Sequence, residues 1–303
     1  MDDVIYSQLH AHSRYSVNRF SGEGAIHRYV WPLERQVVKY LMLKPEKISR
    51  MARVLGLSYV AITDHNTLPG YEDDRIIRSE EWGQRKGHAN FINLKSAIPP
   101  ECGYFRGIEP DEKIDFYVAL NRARENGAMV VINHPFKRDS WLWGNDTYSL
   151  VDALEIWNGP WNSENEMALK LWNGLLEEGV KILPMAGSDF HTGLLDRLDM
   201  NLIVTEKSDD KHEFLKNLRA SRYSITRDLN SPYIFLHDDL EYSIGRCTDG
   251  TEMRIITYKK NEKIRDPPCR GNLNNISPEV FLRLELWREG EPLSFSVPIF
   301  FKH

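Results

Sequence analysis

The chain has 303 residues, 41% of them hydrophobic and 27% charged, with a formal net charge of −5. That length can bury a sizeable core, and the acidic balance with interspersed signs argues against broad, sequence-independent nucleic-acid binding. No run approaches the roughly 20 apolar residues of a membrane span, and Met1–Leu9 has neither a basic start nor an apolar signal core, so a cytoplasmic protein with no membrane role is expected.

From the N-terminus to about residue 205, short apolar runs alternate with segments of helical period, as in βα units around a largely parallel sheet. The first run, Ile5–Leu9, leads into His10-Ala11-His12. Ile48, Met51, Ala52 and Leu55 follow at helical spacing, with Gly56 as a stop. Strands are then predicted over Tyr59–Thr63, Ile76–Trp82, Ala89–Leu94, Ala128–His134, Ala153–Trp157 and Lys181–His191. Helices are predicted near Lys113–Asn126 and Ser163–Glu178.

After Leu202–Thr205 and a helix around Lys211–Arg219, β-type runs dominate: Tyr233–Leu236, Met253–Tyr258, Phe281–Trp287 and Ser294–Phe301. The predicted division is an α/β unit over 1–227 and a small β-rich module over 228–303. The three cysteines form no C-x-x-C pair, so neither a disulfide framework nor a structural zinc finger is expected.

Five polar clusters stand at the ends of these runs: His10-Ala11-His12, Thr63-Asp64-His65, Ser79-Glu80-Glu81 with Gly87-His88, Asn133-His134-Pro135 and Ser188-Asp189-Phe190-His191. Alternate residues of a strand share a face, so His10 and His12 can reach one ion. Any one cluster could be a satisfied polar group. All five at successive strand ends point to one rim, the edge on which α/β barrels assemble their sites. Imidazoles and carboxylates crowded there need a cation between them, and a set without thiolate suits manganese, iron or zinc.

In this order the motifs H-x-H, T-D-H, a G-x-E-like segment, G-H, H-P and S-D-x-H resemble the PHP (polymerase and histidinol phosphatase) superfamily. Glu155-Ile156-Trp157-Asn158-Gly159-Pro160 and the C-terminal region are similar to the branch that includes carbaryl hydrolase. The resemblance implies a distorted seven-stranded (β/α) barrel carrying two or three divalent ions. It implies that His10, His12, Glu81 and Asp189 hold one ion, and that Glu81 bridges to a second held by His88 and His134. A third would take His65 and His191 with a residue just after H-x-H, where this chain has Val17. Either Glu23 or His27 substitutes, or the site is binuclear and His65 and His191 act on substrate.

Roughly thirty residues, an unusual length, separate His12 from the following helix. They carry Arg14, Arg19, Arg28 and Arg35 among aromatic residues. This insert is read either as a loop packed on the barrel or as a lid whose arginines grip an anion. Lys137 and Arg138 are further anion contacts or solvated charges. The leading expectation is hydrolysis of a small organic phosphate ester by a metal-bridging hydroxide, with Asp189 orienting the nucleophile and His191 or His65 protonating the leaving group. The alternatives are a carbamate, ester or amide hydrolase on the same site, and a PHP-like binding module without activity.

Overall fold

The computed structural model describes residues 4–16, 41–101, 112–137 and 140–301. Its first half contains β1 (Val4–Ala11), α1 (Pro45–Leu55), β2 (Tyr59–His65), β3 (Ile76–Gly83), β4 (His88–Ile92), α2 (Phe116–Glu125) and β5 (Met129–Ile132). Then come β6 (Ala153–Asn158), α3 (Ser163–Glu177), β7 (Leu183–Gly187), β8 (Met200–Glu206), α4 (Lys211–Arg219) and β9 (Ser224–Asp228). The remaining strands are β10 (Tyr233–Leu236), β11 (Glu241–Gly245), β12 (Glu252–Thr257), β13 (Lys260–Arg265), β14 (Arg270–Asn272), β15 (Phe281–Arg288), β16 (Glu291–Ser296) and β17 (Ile299–Phe300).

Local chemistry sets these elements. Helix α1 starts on Pro45, whose missing N–H is no loss in a first turn, and buries Ile48 and Ala52 on one face. It stops at Gly56, whose φ of 81° closes the last turn. Asp115, Asn162 and Asp210 cap α2, α3 and α4 by accepting from backbone N–H groups of the first turn. Strand β2 separates two apolar layers by simple alternation: Tyr59 and Ala61 face the large core, Val60 and Ile62 a second cluster with Ile48 and Ala52.

One 14-stranded sheet runs β13-β12-β15-β16-β9-β8-β1-β2-β3-β4-β5-β6-β7, with β17 beside β15. The expected largely parallel barrel is not what forms. Strands β1–β2–β3 and β5–β6–β7 are parallel, but β4 runs antiparallel to both β3 and β5, and β8 antiparallel to β1. Nor does the sheet close. Strand β8 occupies the edge of β1 over Val4–Ser7, so the chain leaving β7 meets β1 only at its far end, in a single bridge between Ala11 and Phe190.

Side chains span the rest of that seam. The Gln8 amide donates to the Leu198 and Met200 carbonyls and its oxygen accepts from the Ser188 N–H, while Asn201 donates to the Gly159 and Gly187 carbonyls. Beyond β9, hydrogen bonding continues into β16, β15 and β12, and the three-stranded sheet β10-β11-β14 packs its Ile234, Tyr242 and Ile244 against Met253, Leu284 and Leu286. The predicted run Ser294–Phe301 is two strands, because it is broken at Val297-Pro298.

Candidate metal centre

The ends of β1 to β7 converge on Glu81. It lies one strand over from His65 in exact register, and His88 opens β4 opposite Gly83, so the antiparallel hairpin returns a second imidazole to the same rim. Glu81 Oε1 is 3.4 Å from His10 Nε2, 3.4 Å from His88 Nδ1 and 3.1 Å from His134 Nε2. Its Oε2 is 3.3 Å from His12 Nε2 and 3.0 Å from His65 Nδ1. Asp189 Oδ1 lies 3.4 Å from His10 Nε2, 3.2 Å from His12 Nε2 and 3.5 Å from His191 Nδ1.

These spacings fit a cation. Donors about 2.0–2.2 Å from one ion, at angles between octahedral and tetrahedral, stand about 3.0–3.5 Å apart. The nitrogens and oxygens gather in overlapping groups: His10, His12 and Asp189; His10, Glu81 and His134; His65, Glu81 and His88; and His12, His65 and His191. Within them His10 Nε2, His12 Nε2 and Glu81 Oε2 are buried without a hydrogen-bond partner. Unpaired buried polar atoms are expensive, and three on one centre match the lone pairs an ion would take.

Electrostatics point the same way. Burial opposes ionisation of Glu81 and Asp189, yet the imidazoles around Glu81, and Lys137, His10 and His191 around Asp189, hold both carboxyls well below their ordinary range. Burial and the neighbouring His191 push His12 down to about 4, and burial drives His65 well below the usual histidine value against the pull of Glu81. Burial would lower His10 too, but Glu155, Asp189 and Glu81 together raise it. Ionised carboxylates facing the neutral imidazoles of His12 and His65 form a ligand set for hard-to-borderline cations.

The backbone is bent to serve this rim. His134 has φ 22° and Asp189 φ 53°, a region that residues with a Cβ seldom occupy and that costs on the order of 1–3 kcal/mol each. Gly187 has a different reason: a Cβ there would stand 2.2 Å from that of His10, so only glycine lets β7 pass.

The structure brings His10, His12, His65, Glu81, His88, His134, Asp189 and His191 to one place, and adds Lys137, whose Nζ is 2.8 Å from Asp189 Oδ2. Arg14 is half-buried near the rim and its N–H donates to the Leu43 carbonyl; among the described residues its guanidinium forms no ion pair with the cluster. Val17, Arg19, Glu23, His27, Arg28, Arg35 and Arg138 lie outside the described residues.

Three residues quoted within the motifs, but given no role there, are supports of the cluster. Glu155 accepts from the His134 N–H and lies 2.8 Å from His10 Nδ1, Asn133 donates to Glu81 Oε1 at 2.8 Å, and Asp64 accepts from both the N–H and the hydroxyl of Ser13. Burial raises the Asp64 carboxyl to about 6 against those two bonds. A charged residue inside the otherwise apolar run Ala153-Leu154-Glu155-Ile156-Trp157 was the available signal for Glu155, since it cannot be buried without partners.

No family model matches the chain. An uncharacterised protein of Methanocaldococcus jannaschii is 25% identical over 162 residues, spanning 50% of this chain and 81% of that protein. A two-domain protein of Bacteroides vulgatus, containing a predicted PHP-like metal-dependent phosphoesterase, aligns over 98% of this chain and 95% of its own with a TM-score of 0.49 and 14% identity. The lesion-specific endonuclease PfuEndoQ of Pyrococcus furiosus aligns over 74% of this chain and 58% of its own, with a TM-score of 0.46 and 16% identity.

Proposed function

We propose that the chain is a divalent-metal-dependent hydrolase of the PHP type whose substrate is a small organic phosphate ester. One observation carries the reading: six imidazoles and two carboxylates meet at one strand edge, with His10 Nε2, His12 Nε2 and Glu81 Oε2 buried there without a hydrogen-bond partner. His10, His12, Glu81 and Asp189 would hold one ion and Glu81 with His88 and His134 a second, leaving His65 and His191, which converge with His12, to act on the substrate. When bound, such ions supply a low-pKa water, orient phosphoryl oxygens and offset the charge that builds on them.

The protein groups then divide the remaining work. Lys137, raised by Asp189 against the lowering effect of burial, presents a permanent cation beside the cluster and binds a non-bridging phosphoryl oxygen. His191 is a quarter exposed, more open than the other imidazoles, and its Nδ1 is 2.8 Å from the Asp189 carbonyl oxygen. That contact sets the ring so that Nε2 protonates the departing alkoxide. Asp189 orients the attacking water, and buried Glu81 keeps the imidazoles in register.

The test is elemental analysis of purified protein together with turnover of phosphomonoesters, phosphodiesters, carbamates and esters. Two or three ions per chain and phosphomonoester turnover that a chelator abolishes are expected. Protein that binds no divalent ion, or that hydrolyses carbamates with no phosphatase turnover, overturns the reading.

A further inference from the structure

The geometry points to Glu155 as the positioning residue that fixes the His10 tautomer, holding the proton on Nδ1 so that Nε2 presents a bare lone pair to the ion; this rests on the metal reading above.

Glu155 sits in the middle of β6, 2% exposed, and both of its oxygens are engaged. Its Oε2 accepts from the His134 N–H at 2.9 Å and from Asn158 Nδ2 at 2.9 Å. A backbone N–H can only donate, so that oxygen is an acceptor. The other oxygen, Oε1, lies 2.8 Å from His10 Nδ1, a distance that needs one hydrogen between the two atoms, and the imidazole, intrinsically more basic than a carboxylate, carries it on Nδ1. His10 Nε2, with no hydrogen-bond partner, is left facing Glu81 and Asp189. One carboxylate therefore sets the ring of His10 on β1 and the backbone of His134 after β5, two strands that are not hydrogen-bonded neighbours. Gly187 makes the arrangement possible, because a Cβ there would lie 3.0 Å from Glu155 Oε1 as well as against His10.

The near-isosteric Glu155→Gln separates this role from simple packing. Three donors face Glu155, and glutamine offers one acceptor oxygen. Left on the His134 N–H and Asn158 side, that oxygen turns the amide NH₂ toward His10 Nδ1. The imidazole then accepts at Nδ1 and moves its proton to Nε2, where it blocks the ion.

The experiment is a zinc titration of wild-type protein and E155Q against a competing chelator, with thermal unfolding of both metal-free forms. Nitrogen-15 imidazole spectra of the zinc-loaded wild type accompany it. Expected are near-equal unfolding temperatures, a 10- to 100-fold loss of affinity in E155Q for one ion equivalent, and a wild-type His10 with its proton on Nδ1 and zinc on Nε2. Equal zinc affinity in the two proteins, or zinc on Nδ1 of wild-type His10, overturns the inference while leaving the metal centre standing. Wild-type protein that takes up no zinc overturns the metal centre itself. Should E155Q not fold, the wild-type spectrum decides alone.

Discussion

Two regions of this molecule bury charge, and they do so in opposite ways. In β15, Arg283 and Glu285 are both 3% exposed and pair directly; Trp287 Nε1 donates to Glu285, Asn173 accepts from Arg283, and the guanidinium covers the Trp172 ring at 4.5 Å. Of the Arg283 and Glu285 side-chain atoms only Arg283 Nε lacks a hydrogen-bond partner, and the charges cancel within the pair. At the rim of β1 to β7 the carboxylates are likewise ionised, Glu81 buried and Asp189 partly so, yet donor atoms of His10, His12 and Glu81 are left over. A buried network that is complete is architecture, and one that is incomplete in a consistent direction is a binding site.

Four experiments break or sharpen that contrast. The largest effect is expected for Glu81→Gln, which removes the carboxylate facing five imidazoles: phosphatase turnover falls about 10⁴-fold, roughly 5 kcal/mol of barrier, with loss of bound metal by elemental analysis. Glu285→Leu does the reverse. It strands Arg283, lowering stability by about 3–5 kcal/mol in denaturant melts while metal content is unchanged, and adding Arg283→Met restores most of the loss.

Lys137→Met is expected to keep both metal and fold and to lower kcat/KM for phosphate esters about 100-fold, roughly 2.7 kcal/mol; equal losses on a neutral ester would remove Lys137 from phosphate binding. The smallest effect on turnover comes from Glu80, which alternation turns away from Glu81 and toward the Ile98 N–H. Burial raises its carboxyl to about 8 from an ordinary 4.5. The folded state thus holds a proton that the unfolded chain has released. Its contribution to stability is complete below about pH 4.5 and declines until about pH 8. Glu80→Gln is expected to flatten that part of the stability profile, by on the order of 5 kcal/mol across the window, as read from melts at successive pH values.

Much of the rim was legible because strand ends are written locally. A run such as Tyr59–Thr63 followed by Asp64-His65 announces both the element and the place where its reactive residues emerge. Glu155, Asn133 and Gln8 were not visible as supports, because their partners lie up to 192 residues away and the bonds exist only once the sheet is assembled. Strand β13, Lys260–Arg265, is exposed at every position and so has no apolar alternation to read; its pairing with β12 defines it. The open barrel was missed for a related reason. Closure depends on which strand takes the edge of β1, and the short apolar segment that became β8 carries no mark of its partner or direction.

That unclosed junction has a mechanical meaning. His10 and His12 stand on one side of it and Asp189 on the other, joined by one β-bridge and a few amide side chains. An ion shared by them would act as a clasp across the gap, so occupancy and rigidity of this part of the molecule rise together. Ion concentration would then set how firmly the two margins of the sheet are fastened, shifting the melting temperature by mass action even when no substrate is present.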